Sequence, residues 1–314
     1  MKADVSVIIP TFNRLWCLPR AIDSCRNTKC KTEIIVVDDG STDGTWEWLQ
    51  SQSDIIPLFQ KNQGQTWAVN RGVEHATGRY IRFLDSDDFL CQGTIDRQYE
   101  TAVETGADIV YSRVDHYDES SKAVFQEHPD TTLWRDFLEI QLGTEYGSHF
   151  LGMLFKKEMI EDIPRRPDFA LREDRMFLLE VGLKEPKLAT VAGCAGYWVR
   201  HKSQMHTSYA GMINVVANWQ HLNIYKKILG ELASSGKLTE PRKKAASNIL
   251  WILAHWVSKT HLKEGKKVAD WVFDLNPDFK IPEKGILGLL FNNLGFLWTQ
   301  RILKLRRLLI YGSE

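Results

Sequence analysis

Short runs of apolar residues alternate with longer amphipathic stretches through the first ~115 residues. β-branched and aromatic residues dominate the runs, so we predict strands at residues 5–9, 33–37, 55–59, 79–84 and 108–111. Between them, apolar residues recur at helical spacing, which predicts helices at 15–26, 44–51, 65–76 and 93–105. Thr42 or Asp43 is suited to cap the second of these helices, and Gly78 to end the third. Strands separated by such helices predict βαβ units in a parallel sheet covered on both faces.

The remaining two thirds of the chain follow a different pattern. Residues 116–210 are less regular, with one helical stretch at 176–181. From residue 211 onward the pattern is helical, at 212–234, 240–261, 265–275 and 284–310. A chain of 314 residues exceeds the usual size of one core. We therefore predict an α/β catalytic domain at 1–210 and a helical region at 211–314 that associates with a membrane or oligomerises.

Three polar clusters follow predicted strands, at residues 10–14, 38–41 and 85–88. In parallel sheets ligands bind beyond the carboxyl ends of the strands, so these clusters are expected at one site. The third cluster contains Asp85, Asp87 and Asp88, which repel one another unless a cation lies among them. Mg²⁺ and Mn²⁺ prefer such oxygen ligands. A solvated acidic turn is the alternative, and the coincidence of three clusters disfavours it.

Two further acidic positions suit the binding of a nucleoside and base catalysis. Asp39, beyond the second strand, can accept hydrogen bonds from a ribose or a base. Asp174, preceded by Glu173 at the start of a predicted helix, can act as the base toward an attacking hydroxyl group. The helix N-terminus favours its ionised form. Asp174 as a simple helix cap is the alternative.

Four motifs in order resemble the family 2 inverting glycosyltransferases with the GT-A fold. They are VSVIIPTFNR at 5–14, VVDDGSTD at 36–43, the stretch from Asn62 to Asp88 that contains NRG and FLDSDD, and RED at 172–174. The resemblance covers roughly residues 4–205. It implies a mixed, mainly parallel sheet with helices on both faces.

The resemblance also implies roles for individual residues. The residues expected to bind the donor are Pro10, Thr11, Asn13, Arg14, Asp39, Arg71, Asp85, Ser86 and Arg200. Asp87 and His201 are expected to bind Mn²⁺ or Mg²⁺, Asp174 to be the base, and Glu173 to assist acceptor binding. Many relatives have Ala-Arg-Asn where this chain has AVN at 68–70, so Arg71 is the candidate to supply the missing arginine contact.

The implied reaction moves a sugar from a nucleotide-sugar donor, most often a UDP-sugar, to a hydroxyl group of a glycan or lipid-linked glycan. A non-catalytic module that binds a sugar nucleotide or glycan is the alternative. Nucleotidyl transfer would need a glycine-rich loop after the first strand, where this chain has PTFNR. His149, Trp134 and Trp198 are candidates for an acceptor site or for simple packing.

Composition bears on the partners of the chain and on its location in the cell. With 40 basic and 40 acidic residues the chain has no overall signature of nucleic-acid binding. Five scattered cysteines without a Cys-x-x-Cys pair favour a reducing cytosol, and we recognise no signal peptide. The apolar segment 286–298 precedes Arg301, Lys304, Arg306 and Arg307. Such a helix either lies on an anionic membrane or packs on protein, so we expect a cytoplasmic protein, with the inner face of the cell membrane as a possible location.

Overall fold

The computed structural model describes residues 2–126, 134–144, 148–204 and 211–311. Contacts divide the chain into two compact units. The first comprises the described part of residues 1–138 and 146–207, and the second that of residues 139–145 and 208–314.

One sheet organises the first unit. Within the described residues its strands are β1 Val5–Thr11, β2 Thr32–Asp38, β3 Ile56–Phe59, β4 Tyr80–Phe83, β5 Phe89–Leu90, β6 Ile109–Asp118, β7 Ala123–Phe125, β8 Met153–Lys156 and β9 Leu188–Arg200. The order is β3-β2-β1-β4-β8-β6-β9-β5, with β7 on β6. Strands β1 to β4 are mutually parallel, and β6 is parallel to β9. The ladders of β8 with β4 and β6, of β5 with β9 and of β7 with β6 are antiparallel.

Helices follow the strands in the order that the periodicity predicts. The described helices are α1 Leu18–Asp23, α2 Thr45–Gln50, α3 Gln65–His75, α4 Thr94–Thr105, α5 Phe137–Gly143, α6 Lys157–Ile160, α7 Glu173–Leu183, α8 Gly211–Ser234, α9 Glu240–Ser258, α10 Leu262–Leu275 and α11 Gly285–Tyr311. Short 3-10 turns cover Phe150–Gly152 and Pro167–Phe169.

The apolar runs of the first strands bury both faces of the sheet. Successive side chains of a strand point to opposite faces, and in β1 Val7 and Ile9 enter one core cluster while Ile8 enters another. Residues of α1, α2 and α4 join the first cluster, and residues of α3 and α7 join the second. Helices on both faces explain why these strands read as continuous apolar runs.

The structure corrects the sequence prediction at several places. The irregular region 116–210 contains β7, β8 and the whole of β9, which pairs with β6 through a register shift near Arg113. β6 itself continues to Asp118, well beyond the predicted end at 111. Gly78 does not cap α3, which ends at His75. It allows close approach of the chain to β1, because a Cβ atom there would lie 2.6 Å from Ser6 N.

Helices α8 to α11 build most of the second unit around Trp251. The Trp251 ring is buried against the aromatic rings of Phe273, Phe279, Phe291 and Phe296, and its Nε1 donates to the Glu283 carboxylate at 3.1 Å. The helix predicted at 284–310 is broken at Gly295, whose φ of 71° lies outside the helical region. No described helix is long and apolar enough to cross a membrane.

Candidate active site

The carboxyl ends of three neighbouring strands carry the predicted polar clusters to one edge of the sheet. Thr11, the last residue of β1, pairs with Asp38, the last residue of β2. On the other side of β1, Ile8 pairs with Phe83 at the end of β4. The parallel register therefore places residues 12–14, 39–41 and 85–88 side by side, as the alternation of strands and helices predicts.

Asp38 and Asn13 tie the first two of these loops together. Oδ1 of the buried Asp38 accepts hydrogen bonds from the Ser41 amide at 3.0 Å and from its hydroxyl group at 2.5 Å. Burial raises the pKa of Asp38. The Asn13 amide donates to Ser41 Oγ at 2.8 Å, and Asn13 Oδ1 accepts from the Thr42 amide at 2.8 Å. Both side chains therefore shape the loops from within.

Asp39 holds the segment that leads into α3. Its Oδ1 accepts from Gln60 Nε2 at 2.7 Å and from the Gln63 amide at 2.9 Å, and its Oδ2 accepts from the Gly64 amide at 2.8 Å. The Asp39 amide donates to the Thr11 carbonyl oxygen at 2.8 Å. Asp39 is 3% exposed, so it connects the β2 edge to the loop at 60–64 from a buried position.

The acidic cluster after β4 brings three carboxyl groups together. Oxygen atoms of Asp85, Asp87 and Asp88 lie within 4.8 Å of one another. Burial raises the pKa of Asp85 to about 8, and the carboxylates of Asp87, Asp174 and Glu173 act in the same direction. The Asp85 side chain still reaches solvent. A bound cation would relieve the crowding of negative charge around it.

The two outer members of this cluster have further partners. Gln65 Nε2, at the start of α3, donates to Asp85 Oδ1 at 2.9 Å. Asp88 is buried, which raises its pKa, and its Oδ1 accepts from the Val199 amide at 2.8 Å. Asp88 thus anchors β9 to the cluster.

Asp87 lies between two side chains from distant parts of the chain. His201 Nε2 is 3.1 Å from Asp87 Oδ2, and Arg14 Nε is 4.0 Å from the same oxygen. Arg20 Nη2, which the sequence did not single out, donates to the Asp87 carbonyl oxygen at 3.4 Å. The His201 side chain is 5% exposed, and its ring contacts the edge of Trp16.

These donors fit a divalent cation. Asp85 and Asp87 offer the oxygen ligands that Mg²⁺ and Mn²⁺ prefer, and His201 offers an imidazole nitrogen. The carboxylates of Asp87, Asp174 and Glu173 add negative charge around Asp85, which a cation would offset. A cation held by both Asp87 and His201 would take the place of the hydrogen bond between them.

A second group of charges begins α7. Arg165 Nη1 donates to Glu173 Oε2 at 2.6 Å and to Asp174 Oδ1. The Glu173 side chain is 10% exposed and that of Asp174 56% exposed. Burial raises the pKa of Glu173 to about 7, although Arg165 acts in the opposite direction. Asp174 is therefore the member of the pair that faces solvent.

Arg165 itself is held by aromatic rings and by α3. Its guanidinium carbon lies 4.2 Å from the ring centre of Phe150, 4.3 Å from that of Phe177 and 5.1 Å from that of Phe83. Asn70 Oδ1 accepts from the Arg165 amide at 2.7 Å, and Asn70 Nδ2 donates to the Arg165 carbonyl oxygen at 3.0 Å. The sequence did not identify Arg165, because nothing local distinguishes it from Arg166.

The remaining predicted donor residues are spread along the same edge. Pro10 is buried within β1, Thr11 and Ser86 are buried, and Arg200 ends β9 with its guanidinium carbon 5.6 Å from the Trp198 ring centre. Thr11 Oγ1 has no hydrogen-bond partner among the described residues. Arg71 lies on α3, and the described residues give its guanidinium group no hydrogen bond to this site.

Aromatic residues of the first unit form two further groups, one of them near the end of β9. Trp198 lies between two histidine rings, with centroid distances of 4.9 Å to His116 and 5.9 Å to His149. Trp134 stacks on Tyr111 at 4.3 Å. Trp134 and Trp198 also pack on the core clusters. These contacts account for both tryptophans as packing residues, and Trp198 keeps a partly exposed surface.

Comparisons with known proteins give a family match over half of the chain. Residues 6–162 match Glycosyl transferase family 2. The GalNAc(5)-diNAcBac-PP-undecaprenol beta-1,3-glucosyltransferase of Campylobacter jejuni is 32% identical over 169 residues, which cover 50% of this chain and 53% of that protein. The chain spans about half or less of the length of several such curated relatives.

Solved structures show the same fold. Staphylococcus aureus TarS 1–349 in complex with UDP-GlcNAc has a TM-score of 0.58 at 17% identity, over 100% of this chain and 95% of that one. Mannosyltransferase PcManGT of Pyrobaculum calidifontis, in complex with GDP-Man and Mn²⁺, has a TM-score of 0.54 at 16% identity, over 100% and 89%. The predicted GT-A fold with its C-terminal helical region is confirmed.

Proposed function

The chain belongs to glycosyl transferase family 2, and on this basis we propose that it is a metal-dependent inverting glycosyltransferase. It moves a sugar from a nucleotide-sugar donor, for which we propose a UDP-sugar, to a hydroxyl group of a glycan or lipid-linked glycan. The observation that carries the proposal is the group of carboxylates at one edge of the sheet. Asp87 with its His201 and Arg14 neighbours lies near Asp85, and Asp174 and Glu173 are close enough to Asp85 to interact with it electrostatically.

Donor binding is assigned to the carboxyl ends of β1, β2 and β4. Thr11 and Asp39 contact the nucleoside, and the unpartnered Thr11 Oγ1 supports this role. Asp85 and Ser86 contact the ribose or the diphosphate. The other donor residues, Pro10, Asn13, Arg14, Arg71 and Arg200, shape the loops or offer positive charge. Two proteins of similar fold bind UDP-GlcNAc and GDP-Man, which supports a nucleotide-sugar donor.

Asp87 and His201 hold the metal in this proposal, as Mn²⁺ or Mg²⁺. The bound cation supplies positive charge for the diphosphate leaving group. Arg14 adds a fixed positive charge 4.0 Å from Asp87 Oδ2. Asp88 does not need to bind the metal, since its hydrogen bond to the Val199 amide holds the end of β9 against the cluster.

Asp174 is the proposed general base. Its side chain is more than half exposed, and Arg165 fixes one of its oxygen atoms from a buried position. In an inverting displacement the base removes the proton of the attacking hydroxyl group, on the face of the sugar opposite the leaving group. Glu173 contributes to acceptor binding through the arginine that it shares with Asp174. A lipid-linked acceptor finds support in the name of the C. jejuni relative.

The test is the release of nucleoside diphosphate from a panel of nucleotide sugars by the purified chain, with and without Mn²⁺. We expect Mn²⁺-dependent release and a Mn²⁺-dependent rise of the melting temperature with the preferred donor. Asp87→Asn should abolish the metal effect, and Asp270→Asn on α10, which carries the same loss of charge, should not. Donor binding without any release would favour the non-catalytic binding module, and absence of both would contradict the proposal.

A further inference from the structure

The last part of α11 exposes a stripe of apolar side chains. After the break at Gly295, Phe296, Thr299 and Gln300 are buried on one side of the helix. The exposed residues Trp298, Ile302, Leu305 and Leu309 are accessible over 58%, 41%, 59% and 79% of their surface. Their spacing of four, three and four residues places them on one helix face, which points away from the buried side.

Positive charges border this exposed stripe. At 100° per residue Arg301 and Arg306 fall on its two edges, and Lys304 lies further round on the side of Arg301. The guanidinium carbon of Arg301 is 4.4 Å from the ring centre of Trp298. Residues 284–311 contain no Asp or Glu, so nothing within the helix neutralises these charges.

We propose that the exposed stripe lies in the interfacial region of a bilayer that contains anionic lipids. Apolar side chains on one face with basic residues at its edges are the pattern of a helix that lies in the membrane plane. The long side chains of Arg301 and Arg306 can keep their charges among the headgroups while their neighbours enter the acyl region. From Phe296 to Tyr311 the helix extends about 24 Å, which suits this orientation.

Charge favours a lipid surface over a second copy of this chain. Trp298, Ile302, Leu305 and Leu309 also occupy the d, a, d and a positions of two heptads. In a parallel pair, Arg301 at g would then face Arg306 at e of the other helix, and the two would repel. An antiparallel pair also brings together helices without acidic residues. Anionic lipids, in contrast, complement the positive charges at both edges of the exposed stripe.

Sedimentation of the full chain with lipid vesicles tests this inference independently of catalysis. We expect binding to vesicles of phosphatidylcholine with about one third phosphatidylglycerol, little binding to pure phosphatidylcholine, and loss of binding at high salt. The variant Ile302→Gln/Leu305→Gln/Leu309→Gln should weaken binding at least about tenfold. Arg301→Glu/Arg306→Glu should weaken it by a similar factor.

Matched controls separate the exposed stripe from general surface effects. Ile252→Gln on α9 alters an isoleucine that is also 41% exposed, and Lys244→Glu/Lys263→Glu makes the same change in charge elsewhere. Both should bind as the unaltered chain does. Equal binding of all variants, or no preference for anionic lipid, would overturn the inference. A third result would also overturn it: the unaltered chain does not bind vesicles and sediments as a dimer, and the triple variant sediments as a monomer.

Discussion

Arg165 Nη1 donates a hydrogen bond of 2.6 Å to Glu173 Oε2, and both side chains are almost fully buried. The same nitrogen also reaches the exposed Asp174. Breaking a buried ion pair leaves an uncompensated charge. Arg165 therefore stabilises the conformation of this end of α7. One residue, Arg165, therefore contributes both to the position of the candidate base Asp174 and to the stability of the fold.

We predict that Arg165→Met lowers the free energy of unfolding by about 3–5 kcal/mol, since Glu173 then lacks its partner and three phenylalanine rings lose theirs. Arg166→Met is the matched control. Arg166 pairs with the exposed Asp168, so its loss should cost no more than about 1 kcal/mol. Urea unfolding of both variants measures the difference, and equal losses would contradict a special role for Arg165.

The raised pKa of Glu173 predicts a pH dependence of stability. A carboxyl group whose pKa rises on folding stabilises the fold fully below its ordinary pKa of 4.5, and this contribution is lost as the pH rises to about 7. The variant Glu173→Gln cannot ionise at this position. Its free energy of unfolding should therefore rise relative to that of the unaltered chain by on the order of 2 kcal/mol between pH 4.5 and 7.

Thermal unfolding across this range checks the sign. Glu158→Gln is the control, because Glu158 is exposed and Lys156 lowers its pKa. The difference in melting temperature between that variant and the unaltered chain should change little in the same window. A constant difference for Glu173→Gln as well would show that the carboxyl group of Glu173 ionises normally.

The parallel half of the fold follows from sequence because local and long-range requirements agree there. Runs such as residues 34–37 are apolar at every position, which only a sheet covered on both faces requires. β9 is harder to recognise. Its sequence LATVAGCAGYWVR includes two glycines and three alanines, and it pairs with the distant β6 through an irregular register. Its strand character depends on that partner.

The candidate site also has one part that follows from the sequence and one part that does not. Carboxylates at strand ends follow from the strand pattern, since parallel strands finish at a common edge. The basic side chains that balance these carboxylates do not follow from that pattern. Arg165 and Arg166 are adjacent in sequence, yet only Arg165 turns into the aromatic cluster of Phe83, Phe150 and Phe177. That choice depends on packing between residues far apart in the chain.

We predict that Asp174→Asn lowers the rate of sugar transfer by about 10²–10⁴-fold, the usual contribution of a general base. Donor affinity should remain within about twofold, because in the proposed mechanism Asp174 contacts the acceptor rather than the nucleotide. Calorimetry with the donor and Mn²⁺, beside a transfer assay, separates the two quantities. A parallel loss of donor affinity would assign Asp174 to the donor site instead.

Asp39→Asn should loosen the loop at 60–64 as well as weaken nucleotide binding. Its carboxylate accepts from both the Gln63 and Gly64 amides, and a side-chain amide cannot accept at both ends. We expect these two amides to exchange hydrogen at least about tenfold faster. Asp43→Asn is the control, since the Asp43 carboxylate accepts from Thr45 and from the Leu15 amide rather than from the Gln63 and Gly64 amides. Unchanged exchange at Gln63 and Gly64 would show that the loop is held by other contacts.

Cys91 is predicted to be far more reactive than three other cysteines of the first unit. The neighbouring Cys194 thiol and Tyr197 hydroxyl group lower its pKa to about 7, against the opposing effect of burial. Burial raises the pKa values of Cys17 and Cys25 to about 12 and that of Cys30 to about 11. The thiolate is the reactive form, so a lower pKa means faster alkylation near neutral pH.

The pH dependence of a short iodoacetamide pulse, read by peptide mass spectrometry, tests this order. Labelling of Cys91 should reach its midpoint near pH 7 and, at pH 8, exceed that of Cys17, Cys25 and Cys30 at least about a hundredfold. Tyr197→Phe removes one donor and should move the midpoint upward, whereas Tyr99→Phe, which removes a hydroxyl group bonded to Asp4, should not. A midpoint in the ordinary thiol range would show that the Cys194 thiol and the Tyr197 hydroxyl group do not stabilise the Cys91 thiolate.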